Sequence, residues 1–530
     1  MSDSGNNTPT GPNDDDNDDS NYDSEFDAEI ESLREGEDPD NVDLNDASHP
    51  LADLSPFAVA GSAEEGYEGD NLSEDSDWDL DDSEYQTGAD RVYDELLARI
   101  GEGAPQPRLE ATRRVVELLG DPHRSYPIIH VTGTNGKTST SRIAESILRA
   151  YGLRTGLMTS PHLQRVNERI MIDGRPISNR ALVSNWDDIQ PFIDLVDTDL
   201  VAAGEPGLTF FEALTVLAFA SFADAPVDVA VIEVGMGGEW DSTNVADGQV
   251  AVFSPIALDH TQRLGSTTAE IARTKSGIIK PVARVVTAIQ PTDALAELER
   301  ASELTESTIA LEGDAFALES TVVAVGGQVI TVRGLAGTYE DLFLPLFGDF
   351  QGHNAALAIA AVESFIGDGA QPLTGDLLAE GLATVTSPGR LQIVGTEPTV
   401  LVDAAHNPHG AQALASAVKS YFTFDEITVV IGVLEDKDAR GIVEALAPIA
   451  TRFAVTQSSS TRAIDHEELA DIVRELAGTD ATIEFDTVLD ALDDARAWAA
   501  DGEKRAVLVA GSITLVGEVI DLASDEGWMK

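Results

Sequence analysis

A short apolar run followed by a glycine-rich turn constrains the fold of this chain more than any other feature. Residues 128–132 read Ile-Ile-His-Val-Thr, the turn at 133–138 reads Gly-Thr-Asn-Gly-Lys-Thr, and a helical pattern follows. In such a turn Gly133 and Gly136 leave backbone N–H groups free to face an anion, and the positive end of the helix adds to their field. Lys137 can reach terminal phosphates, and Thr138 can contact Mg²⁺. The segment therefore predicts a site for nucleotide phosphates.

This turn is shorter than the usual phosphate-binding loop, which has four residues between its first glycine and its Gly-Lys pair. Here only Thr134 and Asn135 separate Gly133 from Gly136. Taken alone, the motif is also compatible with an ordinary strand-to-helix turn. The choice between these two interpretations depends on the rest of the chain.

The chain is strongly acidic, with a formal net charge of −61 over 530 residues. Residues 1–90 hold 30 Asp or Glu and a single basic residue. This composition predicts a disordered acidic tail, because it offers too little apolar surface to offset the chain entropy. The remaining residues are also acidic, with 64 Asp or Glu against 32 Lys or Arg. Such a surface stays hydrated in concentrated salt, which predicts a cytoplasmic protein of a salt-accumulating halophile.

Composition also excludes several classes of function. The sequence has no basic stripe that could replace counterions along a nucleic acid. Its most apolar stretch, residues 213–234, is interrupted by Asp224, Pro226 and Asp228, so no membrane span is predicted. The absence of cysteine excludes disulfides and thiol catalysis.

After Arg91 the predicted helices and strands alternate, which is typical of a doubly wound parallel sheet. Residues 309–344 instead alternate as an antiparallel ribbon does, with a hairpin through Gly326-Gly327. A second series of buried strands begins at Thr399 and ends at Ala510. We therefore predict one α/β domain over residues 91–394 and a smaller α/β domain over residues 395–530.

Charged side chains follow the ends of two predicted strands in the first domain. Glu233 ends one of them, and His260 and Lys275 follow the next. In open α/β sheets the carboxyl ends of strands form the ligand crevice, so Glu233 is a candidate Mg²⁺ ligand if its strand neighbours the glycine-rich turn. Taken singly, Glu233 is also compatible with a loop cap, and His260 with a structural histidine.

A second group of polar residues lies around the predicted domain junction. Arg390 is in a Ser-Pro-Gly-Arg turn, and Asp403 and His406 follow the first strand of the second series. A guanidinium can contact two phosphate oxygens at once, so Arg390 suits a clamp between the domains. An interdomain salt bridge is the alternative for Arg390.

Nine short motifs occur in a fixed order along the chain. They are Gly-Thr-Asn-Gly-Lys (133–137), Thr-Ser-Pro-His-Leu (159–163), Phe-Phe-Glu (210–212), Glu-Val-Gly-Met-Gly-Gly (233–238), Leu-Asp-His (258–260), Lys-Ser-Gly-Ile (275–278), Ser-Pro-Gly-Arg-Leu (387–391), Asp-Ala-Ala-His-Asn-Pro-His (403–409) and Gly-Ser-Ile-Thr-Leu-Val-Gly (511–517). This series resembles the folylpolyglutamate synthase/dihydrofolate synthase family, a branch of the Mur ligase superfamily.

The resemblance implies a P-loop ATP-binding domain of the Mur ligase type, built on a parallel sheet, and a smaller Rossmann-like C-terminal domain. It implies an ADP-forming ligase of folate biosynthesis and one-carbon metabolism that joins L-glutamate to the carboxylate of dihydropteroate or a folate through an acyl phosphate. The implied cofactors are ATP and two Mg²⁺ ions, with a monovalent cation as a further candidate. The implied partners are these small molecules, and the implied oligomeric state is a monomer.

The resemblance also implies roles for individual residues. ATP would be held by Thr134, Asn135, Gly136, Lys137, Thr138, Asn354, Arg390 and Asp403. Magnesium would be held by Ser160, Glu233, His260, Thr138 and Lys275, the last as a carbamylated lysine. The pterin and glutamate substrates would contact Thr209, Phe210, Phe211, Glu212, Trp240, Asp241, Ser242 and Ser512. Lys137, Lys275 and His406 would act in catalysis, with His406 beside the transferred phosphate.

The chain departs from the family pattern at Thr138, at Glu239-Trp240 and at Thr274. The first departure could move a magnesium contact onto Thr138, and the second lies in a pterin-binding stretch, so the acceptor stays open. Two alternative functions also stay open: a Mur-type amino-acid ligase for another carboxylate, and a P-loop ATPase that acts as a switch without ligation.

Overall fold

The computed structural model describes residues 82–102 and 104–528, which lie within one compact unit. Most of the predicted acidic tail, residues 1–81, lies outside the described residues. The predicted end of this tail at residue 90 is wrong, because the chain is already folded from residue 82.

Helix α1 (Gln86–Leu97) explains this difference, since it begins inside the predicted tail. Its residues Ala89, Val92 and Leu96 are buried. Their spacing of three and four residues places them on one face of a helix. These three apolar residues pack this acidic segment against the folded lobe.

The larger lobe contains eleven strands and ten helices within the described residues. The strands are β1 (Ile128–Thr132), β2 (Thr155–Met158), β3 (Ile170–Ile172), β4 (Arg175–Pro176), β5 (Val229–Glu233), β6 (Val250–Phe253), β7 (Arg284–Thr287), β8 (Thr308–Leu311), β9 (Ala317–Ala324), β10 (Gly327–Arg333) and β11 (Thr338–Leu344). The helices after α1 are α2 (Glu110–Leu118), α3 (Lys137–Ala150), α4 (Asn179–Ala203), α5 (Phe210–Asp224), α6 (Thr261–Leu264), α7 (Thr268–Ser276), α8 (Thr292–Leu304), α9 (Asp349–Gly367) and α10 (Gly375–Ala383).

Strands β1 to β8 form one sheet in the order β4-β3-β2-β5-β1-β6-β7-β8. The six strands from β2 to β8 in this order are parallel, and β3 and β4 add antiparallel strands at one edge. Helices cover both faces: Ile129 and Val131 of β1 belong to one apolar cluster and Ile128 to another. Successive side chains of a strand point to opposite faces, so this burial on both sides explains why the strands read as continuous apolar runs. The predicted α/β architecture is confirmed.

The order of the central strands positions the site. Strand β1 lies between β5 and β6, with Val131 opposite Glu233 and Thr132 opposite Phe253. Because neighbouring parallel strands end at the same edge of a sheet, the glycine-rich turn, Glu233 and the loop after Phe253 meet there. Glu233 was a candidate Mg²⁺ ligand only if its strand neighboured the glycine-rich turn, and β5 does lie beside β1.

The predicted antiparallel ribbon is correct for most of its length. Strands β9, β10 and β11 form a three-stranded antiparallel sheet, and β9 and β10 are joined through Gly326. The first part of the prediction is wrong, because β8 pairs in parallel with β7 as the last strand of the large sheet. Its residues 308–311 are exposed or half-buried, and such an edge strand has the alternating composition of a ribbon.

The smaller lobe is a second α/β domain. Its strands are β12 (Gln392–Thr396), β13 (Thr399–Val402), β14 (Glu426–Ile431), β15 (Arg452–Val455), β16 (Thr482–Glu484) and β17 (Arg505–Ala510), and its helices are α11 (Pro408–Tyr421), α12 (Ala439–Leu446), α13 (His466–Ala477), α14 (Val488–Ala500) and α15 (Ile513–Asp525). The sheet order is β12-β13-β17-β14-β15-β16, parallel except for β12. The predicted division after residue 394 falls inside β12, so the smaller sheet begins at Gln392.

None of the helices that the structure describes is long and apolar enough to cross a membrane.

Candidate active site

A cavity of about 690 Å³ lies between the two lobes, at the carboxyl ends of β1, β5, β6 and β13. Every site residue that the sequence predicted lines this cavity, with the exception of Phe210. The side chains brought together come from segments as far apart as the glycine-rich turn and Ser512. The structure therefore places the predicted residues around one crevice.

Phe210 is buried in the larger lobe and does not line the cavity. It packs in the apolar cluster around α5, and the Arg169 guanidinium lies 5.1 Å from its ring centre. Adjacent residues of a helix point about 100° apart, so only Phe211 faces the cavity. The prediction that Phe210 contacts substrate is therefore wrong for the cavity as it stands, and Phe211 stays the candidate.

The glycine-rich turn is held tightly against the loop that follows β6. A Cβ at Gly133 would lie 2.0 Å from Ser254 Oγ, and a Cβ at Gly136 would lie 2.5 Å from Asn354 Oδ1. Both glycines have positive φ angles, 144° and 89°, so side chains are excluded on two grounds. The Thr134 and Asn135 amides donate to the Pro255 carbonyl at 3.0 and 3.3 Å.

These two amides are therefore not free for an anion, in contrast to the general expectation for the turn. The groups left at the cavity are the first amides of α3, which begins at Lys137 with Gly136 at its N-cap. No side chain of the described residues caps this end. An uncapped helix N-terminus at a cavity is suited to a phosphate group.

Lys137 and Lys275 converge on a single carbonyl oxygen. Lys137 Nζ donates to Gly133 O at 3.1 Å and to Thr134 O at 3.2 Å, and Lys275 Nζ donates to Gly133 O at 2.9 Å. Burial and the neighbouring Lys137 ammonium lower the pKa of Lys275 to about 7. Burial likewise lowers the pKa of Lys137. Two buried ammonium groups on one acceptor repel each other, and a pKa of about 7 leaves Lys275 partly neutral at neutral pH.

Glu233 is a buried carboxylate that faces the start of α3. Thr138 Oγ1 donates to its Oε1 at 3.0 Å, and the Ser160 amide donates to its Oε2 at 3.3 Å. Burial raises the pKa of Glu233, and Lys137 and Arg390 oppose that shift. The departure at Thr138 thus places a hydroxyl directly on the carboxylate.

His260 is a neutral base at this site. Burial lowers its pKa to about 4, against the opposing charge of Asp259. A neutral imidazole has a lone pair available for a metal. Within the described residues no three His, Cys, Asp or Glu side chains are grouped so that they could hold a metal ion by themselves.

Asp259 joins the two lobes through contacts that the sequence did not predict. Lys437 Nζ donates to its Oδ1 at 2.8 Å, Asn407 Nδ2 donates to its Oδ2 at 3.2 Å, and His406 Nε2 lies 3.4 Å from the same oxygen. Burial alone would raise its pKa, but the contact with His406 and the charges of His260 and Lys437 hold the pKa of Asp259 well below its usual range. His406 Nδ1 lies 2.9 Å from the Ala404 carbonyl, so contacts at both ring nitrogens fix this imidazole.

Breaking the pair of Asp259 and Lys437 is expected to lower stability. Their side chains are only 10% and 7% exposed, and removing one partner of a buried pair leaves an uncompensated charge that costs about 3 kcal/mol. We expect Lys437→Met to reduce the free energy of unfolding in urea by roughly that amount, and Asp259→Asn combined with Lys437→Met to recover at least about 1 kcal/mol of coupling.

The matched control is the pair Lys504 and Asp425, whose side chains are 62% and 70% exposed at 3.8 Å. Lys504→Met should change stability by no more than about 0.5 kcal/mol. Equal losses at Lys437 and Lys504 would show that Asp259 does not tie the lobes.

The smaller lobe and the junction contribute further polar groups. Asp403 accepts from the Leu391 and Ala405 amides at 2.7 and 2.8 Å, and burial raises its pKa against the charge of Arg390. Asn407 and Asn135 exchange side-chain hydrogen bonds at 3.1 and 3.4 Å, so a second contact joins the smaller lobe to the glycine-rich turn. Of the two asparagines that join the lobes here, Asn135 also lines the cavity.

Two of the other predicted contact residues make local hydrogen bonds as well as lining the cavity. Asn354 Nδ2 donates to the side-chain oxygen of Gln351 at 3.1 Å, and Ser512 caps α15 by accepting from the Leu515 amide at 3.2 Å. Both positions are buried, so only part of each side chain is available to a ligand.

The wall predicted for the acceptor has a rigid polar frame and an aromatic face. Thr209 and Glu212 form a capping box at the start of α5, and Glu212 also accepts from Arg108 at 3.0 Å. Asp241 accepts from the amides of Met236 and Thr243, and Ser242 bonds Thr215 at 2.7 Å. Phe211 and Trp240 line the cavity beside this frame. An aromatic pair on a fixed frame suits a flat ring.

Sequence reasoning missed Lys437 and its pairing with Asp259, although signals for both residues were present. Asp259 is part of the Leu-Asp-His motif. Lys437 is in an Asp-Lys-Asp triplet shortly after the buried strand β14, at a strand end where ligand crevices form. Their pairing depends on the approach of the two lobes, which no local pattern encodes.

Comparisons with known proteins agree with this geometry. The Mur ligase middle domain matches residues 131–362, and the Mur ligase, glutamate ligase domain matches residues 389–513. The dihydrofolate synthase/folylpolyglutamate synthase of Mycobacterium tuberculosis is 44% identical over 432 residues, which cover 78% of this chain and 89% of that protein. The chain belongs to the folylpolyglutamate synthase/dihydrofolate synthase family.

Solved structures of the family have the same fold. The Mycobacterium tuberculosis folylpolyglutamate synthase complexed with ADP has a TM-score of 0.80 and 42% identity, and the match covers 83% of this chain and 99% of that one. An Escherichia coli FolC structure in complex with DHPP and ADP has a TM-score of 0.72 and 30% identity, over 82% of this chain and 98% of that one. Family membership therefore extends over both lobes.

Proposed function

We propose that this protein is an ATP-dependent, ADP-forming ligase that joins L-glutamate to the carboxylate of dihydropteroate or a folate. The observation that carries the proposal is the cavity of about 690 Å³ between the lobes, because the glycine-rich turn, Glu233, His260, Lys275 and Asp403 all face it. A relative that is 44% identical over 432 residues carries the name dihydrofolate synthase/folylpolyglutamate synthase.

ATP would bind with its phosphates at the start of α3. The uncapped helix end, Lys137 and Arg390 supply positive charge there, and Asn354 and Asp403 border the same cavity from the two lobes. The proteins solved with ADP support a nucleotide in this position. Phosphoryl transfer depends mainly on positioning and charge neutralisation, which this set of residues provides.

The residues beside the turn fit Mg²⁺. Glu233 and the hydroxyls of Thr138 and Ser160 are hard oxygen donors, and the raised pKa of buried Glu233 shows a carboxylate that lacks full compensation. His260 borders the same cavity as a neutral base. A bound Mg²⁺ would neutralise phosphate charge during transfer.

Lys275 is suited to carbamylation. Its pKa of about 7 leaves a neutral amine available at neutral pH, and that nitrogen can attack CO₂ to form an N–C bond with release of one proton. The product carries a negative charge beside Lys137, so the repulsion between two ammonium groups becomes an attraction. The carbamate would also add oxygen donors to a site that has few of its own.

The reaction would proceed through an acyl phosphate. A carboxylate oxygen of the acceptor attacks the γ-phosphorus of ATP, and the bond to the bridging oxygen breaks as ADP leaves. The glutamate amine then attacks the acyl carbon, and inorganic phosphate leaves with the electron pair of the C–O bond. Closure of the lobes over the intermediate excludes water that would hydrolyse it. His406, fixed by Ala404 and Asp259, would lie beside the transferred phosphate.

The strongly acidic charge of the chain supports the proposal that it works in concentrated salt. We propose that it is located in the cytoplasm of a halophile. We also propose that its active form is a monomer. Its net charge of −61 strongly favours a hydrated, screened surface. Assays of the proposed activity are therefore designed in molar KCl.

The decisive experiment measures ADP release from ATP and Mg²⁺ in molar KCl, with and without L-glutamate and with either dihydropteroate or tetrahydrofolate as acceptor. We expect turnover only when glutamate and an acceptor are both present, together with a product that contains labelled glutamate. The acceptor that supports turnover distinguishes addition of the first glutamate from addition of later ones. ATP turnover that is indifferent to both substrates would favour an ATPase switch and contradict the proposal.

A further inference from the structure

A second cavity, of about 580 Å³, lies at the lobe junction and shares no lining residue with the candidate active site. From the larger lobe it is lined by Arg142 of α3, by Arg165 and by Arg175 of β4. From the junction and the smaller lobe it is lined by Thr386, Pro388, Gln392 and Ile520. We infer that this cavity binds a small oxyanion with two or more negative charges, held by Arg142, Arg165 and Arg175.

The three arginines are unusual in a chain with 94 acidic and 33 basic residues. Because acidic residues outnumber basic ones almost three to one, most arginines can pair with a carboxylate. Most of the buried or half-buried arginines that the structure describes do form such an ion pair. Arg142 is half-buried and Arg175 exposed, and neither guanidinium group makes a hydrogen bond or an ion pair with any residue that the structure describes. Arg165 uses one guanidinium nitrogen to contact the neutral Gln86 oxygen at 3.1 Å.

The two carboxylates that line the cavity, Asp82 and Glu168, accept hydrogen bonds from backbone amides and not from the three arginines. Glu168 accepts from the amides of Leu163, Gln164 and Arg165 at 2.8, 3.0 and 2.8 Å. Asp82 accepts from the Asn179 and Arg180 amides. Both acids are therefore already engaged, and the positive charge of the cavity is not cancelled by contact pairs.

The Arg142 guanidinium loses hydration in this arrangement. Burial lowers its pKa, and the charges of Glu168 and Glu233 only partly oppose that shift. A doubly charged oxyanion would offset the cost, because guanidinium groups contact phosphate or carboxylate oxygens in pairs. Since the cavity is lined by both lobes, a bound anion would also connect them beside the Thr386–Gln392 segment.

The test uses the full chain with a non-hydrolysable ATP analogue saturating the active site, in KCl of fixed concentration. Inorganic phosphate and citrate are titrated separately by calorimetry, and the thermal midpoint is measured in parallel at equal ionic strength. We expect one equivalent of at least one probe to bind and to raise the midpoint, because a ligand of the folded state stabilises it. The tighter of the two probes distinguishes phosphate from carboxylate ligands.

The variant is Arg165→Ala combined with Arg175→Ala, since both side chains are exposed and their loss leaves the core intact. Each lost guanidinium contact is expected to weaken binding about tenfold. Arg113→Ala, which removes an exposed arginine of α2, is the matched control and should bind as the parent chain does. Absence of binding by both probes, or binding that is unchanged in the double variant, would overturn the inference.

Discussion

Replacing Lys137 by alanine is expected to abolish ligation while the protein stays folded. Its ammonium lies over the glycine-rich turn, 3.1 Å from Gly133 O and 3.2 Å from Thr134 O, at the start of α3. Loss of one preorganised charge at a transferred phosphoryl group lowers the rate by about 10³-fold. We expect glutamate-dependent ADP release to fall by at least this factor.

The same substitution should not destabilise the fold. Burial lowers the pKa of Lys137, so its ammonium is bound at a cost that alanine removes. The thermal midpoint is expected to stay equal or to rise. Lys419→Ala, at an exposed position of α11, serves as the control and should leave both rate and midpoint unchanged. Ligation at a rate near that of the parent chain in the Lys137 variant would contradict the assignment of the turn to ATP.

The second large effect is expected at Lys275. Lys275→Ala removes the amine that would carry the carbamate, and we expect the ligation rate to fall by about 10²-fold or more. Unmodified Lys275 has a pKa of about 7, so its amine is increasingly protonated below that pH. Carbamate formation and activity should therefore rise as the pH increases through 7. The measurement is the ligation rate across pH in buffers with and without bicarbonate, combined with ¹³C NMR after labelling with ¹³C-bicarbonate.

The free energy of unfolding provides an independent test of the lowered pKa of Lys275. In the folded, unmodified protein the pKa of Lys275 lies below that of the unfolded chain, so the unfolded state binds more protons between about pH 7 and pH 10.4. The free energy of unfolding should therefore rise with pH across this window in bicarbonate-free buffer. Lys275→Met is expected to remove this contribution. A variant whose stability has the same pH dependence as the parent chain would contradict the low pKa of Lys275, and full activity without bicarbonate would exclude the proposed carbamate.

Much of the fold was predictable because its signals are local. The apolar run at 128–132 and the glycine pair at 133 and 136 predicted β1, the turn and α3, since buried parallel strands and positive φ angles demand those residue types. The hairpin through Gly326 was predictable for the same reason. The predictions were wrong where packing against other elements decided the structure. Helix α1 begins within an acidic segment because three of its apolar residues are buried against the larger lobe. Strand β8 pairs with β7 as the edge strand of the parallel sheet.

The candidate site shows the same division. The motif order assembled nearly all of its residues, but it could not separate Phe210 from Phe211, because a difference of about 100° on a helix decides which ring meets the cavity. It also gave no indication that the Thr134 and Asn135 amides would be taken by Pro255. These outcomes depend on how loops pack against one another.

The sequence by itself determined which chemical groups the chain carries: a phosphate-binding turn, an acid at the end of a strand, and a lysine predicted to lie close to both. These features were predictable because residue type and strand periodicity are recognised within short segments. Only the tertiary structure decided which groups share a contact. The pairing of Asp259 with Lys437 and the convergence of Lys137 and Lys275 on Gly133 O arise from segments that are 178 and 142 residues apart in the chain. Electrostatic effects fall with distance and grow with burial, so pKa values and pairings at this site follow from three-dimensional proximity.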